Sequence, residues 1–249
     1  MKKLLYLGVL FFSWMVSSQN QALFEQGKEQ YKAEKYQEAV TNWMKILNNG
    51  EHSSELYFNI ANAHYKLNQI GPSIYYYEKA LQLSPNDGDI KNNLAFAQNA
   101  RVDVIEPLPK TFFAKWDQSL SQFLTYEGWA WVAVIAIVLF TVLFLKYFFT
   151  AETRRKRLFF VTSFASIFIG LIGLWMAFRT YHKVQNDTEA IVFAEAVEIK
   201  NGPRMSDETI FMLHEGTKVQ VLDQEDQWSR IKLADGKDGW IPSEAIKEL

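Results

Sequence analysis

Three polar residues, Asn59, Asn62 and Lys66, follow one another at spacings of three and four positions. On an α-helix this spacing places them along one stripe. Two amides and an ammonium group on a stripe can hold a peptide backbone or a terminal carboxylate, because they donate hydrogen bonds and supply positive charge. A solvated helix face has the same composition, so these residues alone leave both interpretations open.

A second group of candidate binding residues lies near the end of the sequence and contains two tryptophans. Trp228, Trp240 and Pro242, together with Asp226, are residue types that can form a peptide-binding groove. Trp240 can equally belong partly to a hydrophobic core. Both candidate sites indicate binding of a partner.

Catalytic chemistry has little support in this sequence. A glycine-rich phosphate loop and a nucleophile elbow are missing, and the four histidines have no metal-ligand spacing. The absence of cysteine excludes thiol catalysis, cysteine-based zinc sites and disulfides. A net charge of −2 without a clustered basic face does not favour nucleic-acid binding. We therefore expect a protein that is not an enzyme and that uses no cofactor and no metal.

The polar stripe lies within an internal repeat. Residues 27–47 align with residues 61–81 at an offset of 34, and large aromatic rings, Trp43 and Tyr77, occupy matched positions. The pattern resembles the tetratricopeptide repeat, a helix–turn–helix unit of this period. It departs from the usual repeat at Asn68, which replaces the turn glycine.

Residues 89–104 continue the repeat register as a single capping helix, so we predict a repeat domain over residues 20–105. The resemblance implies a binding array whose concave face is lined by the first helix of each repeat. It does not reproduce the lysine–asparagine clamp of chaperone-type repeats. By the register, the expected partner-binding face consists of Lys28, Tyr31, Phe58, Asn59, Asn62, Tyr65, Lys66 and Asn93.

The first residues of the chain have the pattern of an export signal. Lys2 and Lys3 precede an apolar run, and small residues follow before Gln19, which predicts a secretory signal peptide over residues 1–18. An uncleaved anchor helix is the alternative.

Two long apolar runs predict a transmembrane hairpin. Residues 128–148 and 158–178 are each long enough to cross a hydrocarbon core of about 30 Å as a helix. Short positive loops remain in the cytoplasm, so the basic segment 149–157 places both flanking parts of the protein on the outer side. The residues that set this topology are Arg154, Arg155, Lys156 and Arg157.

Residues 106–127 connect the repeats to the first span. Pro107 and Pro109 favour an extended start. Phe112, Trp116, Leu120 and Phe123 then recur at helical spacing, which predicts an amphipathic juxtamembrane helix. Such a helix lies either in the membrane interface or on the repeats as an additional cap.

Residues 190–249 change to short alternating runs separated by turns, which predicts a small all-β domain. Phe-x-Leu-x-x-Gly-Thr at 211–217 and Asp-Gly-x-x-Gly-Trp-Ile-Pro at 235–242 resemble bacterial SH3-like domains. Gly236 suits a hairpin turn, and Gly239 is expected to let the chain bend beside Trp240. The resemblance implies peptide binding, often of cell-wall peptides. A cell-wall hydrolase would need a catalytic domain, and no segment remains to form one.

The predicted fold class is multi-domain: an all-α tetratricopeptide repeat array, a two-helix transmembrane hairpin and a small all-β SH3-like barrel. This arrangement resembles the BatE-type family of the Bacteroides aerotolerance operons. The resemblance implies an inner-membrane protein with its repeats and barrel in the periplasm, beside von Willebrand factor A-type membrane proteins and, indirectly, a MoxR-type ATPase. We expect a non-catalytic adaptor or scaffold; the alternative is a membrane-anchored cell-wall sensor that binds peptidoglycan.

Overall fold

The computed structural model describes residues 19–109, 111–121 and 123–249. The predicted signal peptide lies outside these residues. The chain divides into two compact units, of which the second is Pro109–Thr188. The first unit combines the residues before Pro109 with Glu189–Leu249. It therefore joins two segments that the sequence predicts as separate domains.

The repeat domain consists of five helices. Gly27 is buried under the indole of Trp43, where a Cβ atom would collide with the ring, and Trp43 donates a hydrogen bond to the carbonyl oxygen of Phe24. Asn68 has a φ of 58°, a left-handed conformation that asparagine tolerates better than most residues. The helices are α1 (residues 19–32), α2 (Tyr36–Asn48), α3 (Ser54–Lys66), α4 (Ile70–Leu83) and α5 (Gly88–Asn99).

The second unit contains α6 (Phe112–Ser121), α7 (Tyr126–Phe149) and α8 (Thr153–Asn186). Helices α7 and α8 are long and apolar enough to cross a membrane. They approach closely, since a Cβ atom on Gly173 would lie 3.1 Å from the backbone nitrogen of Ala133. The basic residues 154–157 lie in the first turns of α8, so the connection between the two helices is shorter than the predicted loop.

The C-terminal part is one antiparallel sheet with the strand order β3-β2-β6-β5-β4-β1-β7. A cluster of apolar side chains that includes Ile199, Leu213 and Ile231 forms its core. The strands are β1 (Glu189–Val192), β2 (Ala196–Lys200), β3 (Thr209–His214), β4 (Lys218–Glu225), β5 (Trp228–Lys232), β6 (Asp238–Pro242) and β7 (Ile246–Glu248).

The two glycines of the SH3-like pattern are required for different structural reasons. Gly236 has a φ of 92° in the turn between β5 and β6, as a hairpin turn requires. Gly239 is needed because β2 passes close by: a Cβ atom there would lie 2.5 Å from Ile199 Cγ2 and 3.0 Å from the carbonyl oxygen of Lys200. The predicted fold class is confirmed in its three parts: a helical repeat region, two long apolar helices and an antiparallel all-β domain.

Candidate binding sites

Five of the predicted partner-binding residues lie on one side of α3. Phe58, Asn62 and Tyr65 occupy one stripe, and Asn59 and Lys66 border it. The buried residues of this helix, Leu56, Tyr57, Ile60, Ala61 and Ala63, lie on the opposite side. We call the five residues the α3 face. Tyr65 and Lys66 are exposed, so this face is open to a partner.

The core of the repeat fixes part of the α3 face. Tyr77 donates a hydrogen bond of 2.5 Å to Asn62 Oδ1, and its ring lies 5.9 Å from that of Phe58. Burial raises the pKa of Tyr77, so its hydroxyl remains a donor at neutral pH. The Asn62 amide is therefore oriented with its oxygen toward the core, and its nitrogen is directed away from that hydrogen bond.

The remaining predicted residues lie on α1 and α5. The Lys28 ammonium lies 5.5 Å from the centre of the Phe24 ring. Tyr31 packs edge-on against Tyr36, and burial raises its pKa. Asn93 donates one hydrogen bond from its amide nitrogen to the carbonyl oxygen of Asp89 in its own helix.

The structure brings three of the four predicted groove residues of the barrel together. Asp226, Trp228 and Pro242 line a groove of about 450 Å³. Trp228 lies opposite Pro242 in the β5–β6 ladder, and Asp226, with a φ of 52°, turns the chain into β5. The other residues that line this groove are Met205, Gln227, Ser243 and Glu244.

Trp240 lies outside the lining of this groove but on the same side of the sheet. It pairs with Arg230 across the ladder, and Arg230 forms an ion pair of 2.6 Å with Asp238. Ser229, Ile231 and Ile241 point to the opposite, buried side. Trp240 is thus half-exposed on the outer face of the sheet, between β2 and β5.

A third surface, which the sequence did not predict, joins the barrel to the repeats. Ile191 of β1 is fully buried in the hydrophobic cluster of the repeat helices. Phe193 packs edge-on against Tyr75 of α4 with ring centres 5.5 Å apart, and the Lys247 ammonium lies 4.7 Å from the centre of the Tyr75 ring. Gly71 permits the approach, since a Cβ atom there would lie 3.1 Å from the carbonyl oxygen of Val192. We call this the docking surface.

Two charged side chains of the barrel on the docking surface, Glu215 and Lys218, bind groups of α4. Glu215 of the barrel accepts a hydrogen bond from the backbone nitrogen of Gly71 and so caps the first turn of α4. Lys218 forms ion pairs with Glu78 of α4 at 3.0 Å and with Glu189 at 2.7 Å. Burial by itself would lower the pKa of Lys218, but the two carboxylates outweigh it and raise the pKa.

Asp103 is the most connected acid of the docking surface. It follows α5, and its carboxylate accepts hydrogen bonds from the backbone nitrogen of His214 at 2.7 Å, from His214 Nδ1 at 2.8 Å and from Thr217 Oγ1 at 2.7 Å. Burial alone would raise the pKa of Asp103, but the hydrogen bonds from Thr217 and His214 outweigh burial and lower it. The chain then continues along the barrel, where Leu108 donates a backbone hydrogen bond to Ala234.

The consecutive residues Tyr75, Tyr76 and Tyr77 are the sequence signal for the docking surface. Successive residues in a helix are about 100° apart, so three buried residues in a row require contacts on more than one side. All three are buried: Tyr77 by the repeats, and Tyr75 largely by the barrel. Glu215, Lys218 and Asp103 have no comparable signal, because each is an ordinary surface residue type.

Comparisons with known families match two parts of the chain. Residues 54–87, which contain α3 and α4, match the tetratricopeptide repeat family. Residues 195–247 match the bacterial SH3 domain family. No curated protein matches the chain. The chain therefore contains a tetratricopeptide repeat and a bacterial SH3 domain, and β1, the strand that enters the repeat cluster, precedes the SH3 match.

We predict that Asp103 gives the folded unit a pH-dependent part of its stability. Because its pKa is lowered on folding, this contribution to the free energy of unfolding is fully present above the unfolded pKa and is lost as pH falls through the folded value. Asp103→Asn should reduce the free energy of unfolding at pH 7 by about 2 kcal/mol. It should also flatten the decline of that free energy between about pH 5 and pH 2.

Urea unfolding of the full chain in mild detergent at several pH values measures this difference. Glu208→Gln, an exposed acid of the same barrel, serves as the control and should retain the pH dependence of the unsubstituted protein. If Asp103→Asn retains that dependence as well, the role assigned to Asp103 is wrong.

Proposed function

We propose that the protein is a non-catalytic inner-membrane adaptor that binds envelope proteins through the α3 face. The observation that carries the proposal is the division of surfaces on the repeat domain. Tyr75 of α4 is buried on the docking surface, whereas α3 presents amides, an ammonium group and a partly exposed ring. Tetratricopeptide repeats bind proteins, and this face has the donors that an extended peptide or a terminal carboxylate requires.

Two independent arguments support the proposed membrane topology. Because the repeats and the barrel form one unit, the hairpin of α7 and α8 returns to the side from which it started. Four basic residues at the start of α8 are unfavourable for the helix itself, since the helix dipole disfavours each by about 0.3–1 kcal/mol. Retention of positive charge in the cytoplasm explains them. The repeats and the barrel then lie in the periplasm.

A reporter fusion tests this topology. We expect a reporter that is active only outside the cytoplasm to be active when fused after Leu249, and one that is active only in the cytoplasm to be inactive there. A fusion between α7 and α8, at Ala151, should give the opposite pair of results. A cytoplasmic signal after Leu249 would contradict the proposed orientation.

The chemistry of the α3 face suits an extended segment or a chain terminus of a protein partner. The repeat, the apolar helices and the bacterial SH3 domain agree in part with the BatE-type resemblance. That resemblance makes von Willebrand factor A-type membrane proteins the first partners to test, with a MoxR-type ATPase acting through them in an aerotolerance or stress-related complex.

Partner capture from intact cells tests the adaptor proposal. The tagged full-length protein is crosslinked in cells, purified in mild detergent, and its co-purifying proteins are identified. Asn59→Ala combined with Lys66→Ala removes two donors of the α3 face and leaves the Tyr77–Asn62 hydrogen bond in place. We expect the amount of the principal co-purifying protein to fall at least tenfold, which corresponds to a loss of about 1.4 kcal/mol of binding free energy.

The control for this experiment uses the same residue types elsewhere on the repeats. Lys35 and Asn48 flank and end α2 and are exposed, so Lys35→Ala combined with Asn48→Ala should leave capture unchanged. Equal capture by the α3-face variant and this control would mean that the α3 face does not bind the partner.

The second candidate function is a membrane-anchored sensor of the cell wall, favoured by the barrel groove. Asp226, Trp228 and Pro242 form an open groove with an aromatic wall and a carboxylate at its edge. An indole face can pack on a sugar or an apolar peptide side chain, and a carboxylate can pair with a free amine of a peptide. Bacterial SH3 domains are associated with peptidoglycan binding, which gives this groove a specific ligand to test.

Sedimentation with purified cell-wall sacculi tests the sensor function. If the groove binds peptidoglycan, the detergent-solubilised full chain should sediment with sacculi, and Trp228→Ala should reduce retention at least tenfold. Leu222→Ala, which changes an exposed apolar side chain of the same barrel, should have no effect. A full chain that remains in solution would exclude the sensor function, and the adaptor proposal does not depend on that result.

A further inference from the structure

Helix α6 carries an exposed row of aromatic side chains. Phe112, Phe113 and Trp116 are 77%, 78% and 60% exposed. They lie within about 100° of one another around the helix axis, so they form one apolar face. Large aromatic rings are unfavourable in contact with water, so three exposed rings on a ten-residue helix indicate a surface that is covered in the cell.

Contacts within the second unit fix the position of α6 along the axis of the apolar helix α8. Asp117, the only acid of α6, forms an ion pair of 2.6 Å with Arg179 of α8. Arg179 is the first charged residue after the apolar run that ends at Phe178. The centre of α6 therefore lies beside the end of the apolar part of α8, where hydrocarbon gives way to the polar headgroups.

Other contacts in the same unit agree with this position of α6 along α8. The rings of Tyr126, at the start of α7, and Tyr181 of α8 lie 5.7 Å apart, and tyrosine favours the headgroup region. Between α6 and the end of α8 is a groove of about 610 Å³, lined in part by Trp175, Arg179 and Lys183. Trp175, like tyrosine, is a ring type that favours the headgroup region.

We propose that α6 lies in the surface of the lipid bilayer, with Phe112, Phe113 and Trp116 inserted among the acyl chains and Asp117 facing the headgroups. The lipid surface is the occupant that the structure favours, because the apolar face of α6 lies at the border of the apolar surface that α7 and α8 already present. In this position α6 is a fixed interfacial anchor immediately before the first span. The proposal rests on the membrane insertion of α7 and α8 proposed above.

Nitroxide scanning of the full chain in phosphatidylethanolamine–phosphatidylglycerol vesicles tests the proposal. The natural sequence has no cysteine, so each single-cysteine variant carries one label. The variants are Phe113→Cys on the apolar face, Lys115→Cys on the polar side of α6 and Ile137→Cys in the middle of α7. Oxygen concentrates among the acyl chains and a nickel complex remains in water, so the ratio of their collision rates with the label reports depth.

We expect the Phe113→Cys label to be several-fold less accessible to nickel than the Lys115→Cys label, and to collide readily with oxygen. Adding Trp116→Glu should return the Phe113→Cys label to water. Equal nickel accessibility at positions 113 and 115, with position 137 deep in the membrane, would overturn the placement of α6 alone. Protection of position 113 from both reagents would mean that a protein partner, and not lipid, covers the apolar face of α6. Nickel access at position 137 would overturn membrane insertion itself, and with it both proposals.

Discussion

The pairing of half-buried charges between the repeat region and the barrel is the constraint on which the rest of the folded unit depends. A buried charge without a partner is strongly destabilising, whereas a paired and hydrogen-bonded one is tolerated. Asp103 finds its donors on His214 and Thr217, and Lys218 finds Glu78. These pairs are made in the observed relative position of the two parts, so they select one docking geometry. The apolar contacts of Ile191 and Phe193 bury surface, but they do little to fix the orientation of the barrel on the repeats, because the hydrophobic effect is non-directional.

This docking explains how so short a repeat array is stable. Repeat arrays usually need three or more units, because each unit buries its apolar side against the next. Here the chain after α5 leaves the helical array, and the barrel contributes Ile191, Phe193 and Leu249 to the repeat cluster. The barrel thus covers apolar surface of the repeats that a further repeat would otherwise bury. A fragment containing the barrel alone would expose Ile191, and for that reason binding experiments are informative on the full chain.

The sequence predicts those features that arise from local periodicity. Trp43 and Tyr77 revealed the repeat because each helix pair reuses the same packing positions, and the apolar runs revealed α7 and α8. The α3 face followed from the repeat register, and the groove residues Trp228 and Pro242 followed from the resemblance to bacterial SH3-like domains, although binding at either remains a prediction. The docking surface was missed because its partners are far apart: Asp103 and His214 are separated by 111 positions. No spacing rule connects residues so far apart in the sequence. The run of three tyrosines was the one local pattern that indicated a contact on a second side of α4.

The proposed membrane hairpin lies in the sequence between the two segments that form the docking surface. If α7 and α8 span the bilayer as proposed, a unit assembled from residues before Pro109 and after Thr188 requires both segments to be on one side of it. The intervening segment must then cross the bilayer an even number of times, and two spanning helices meet this requirement. In that arrangement the hairpin brings the two ends of the segment together, which reduces the entropic cost of closing a long loop between Asp103 and His214. The proposed topology therefore predicts that a single added or deleted span would place the repeats and the barrel on opposite sides of the membrane, and the docking surface could not form.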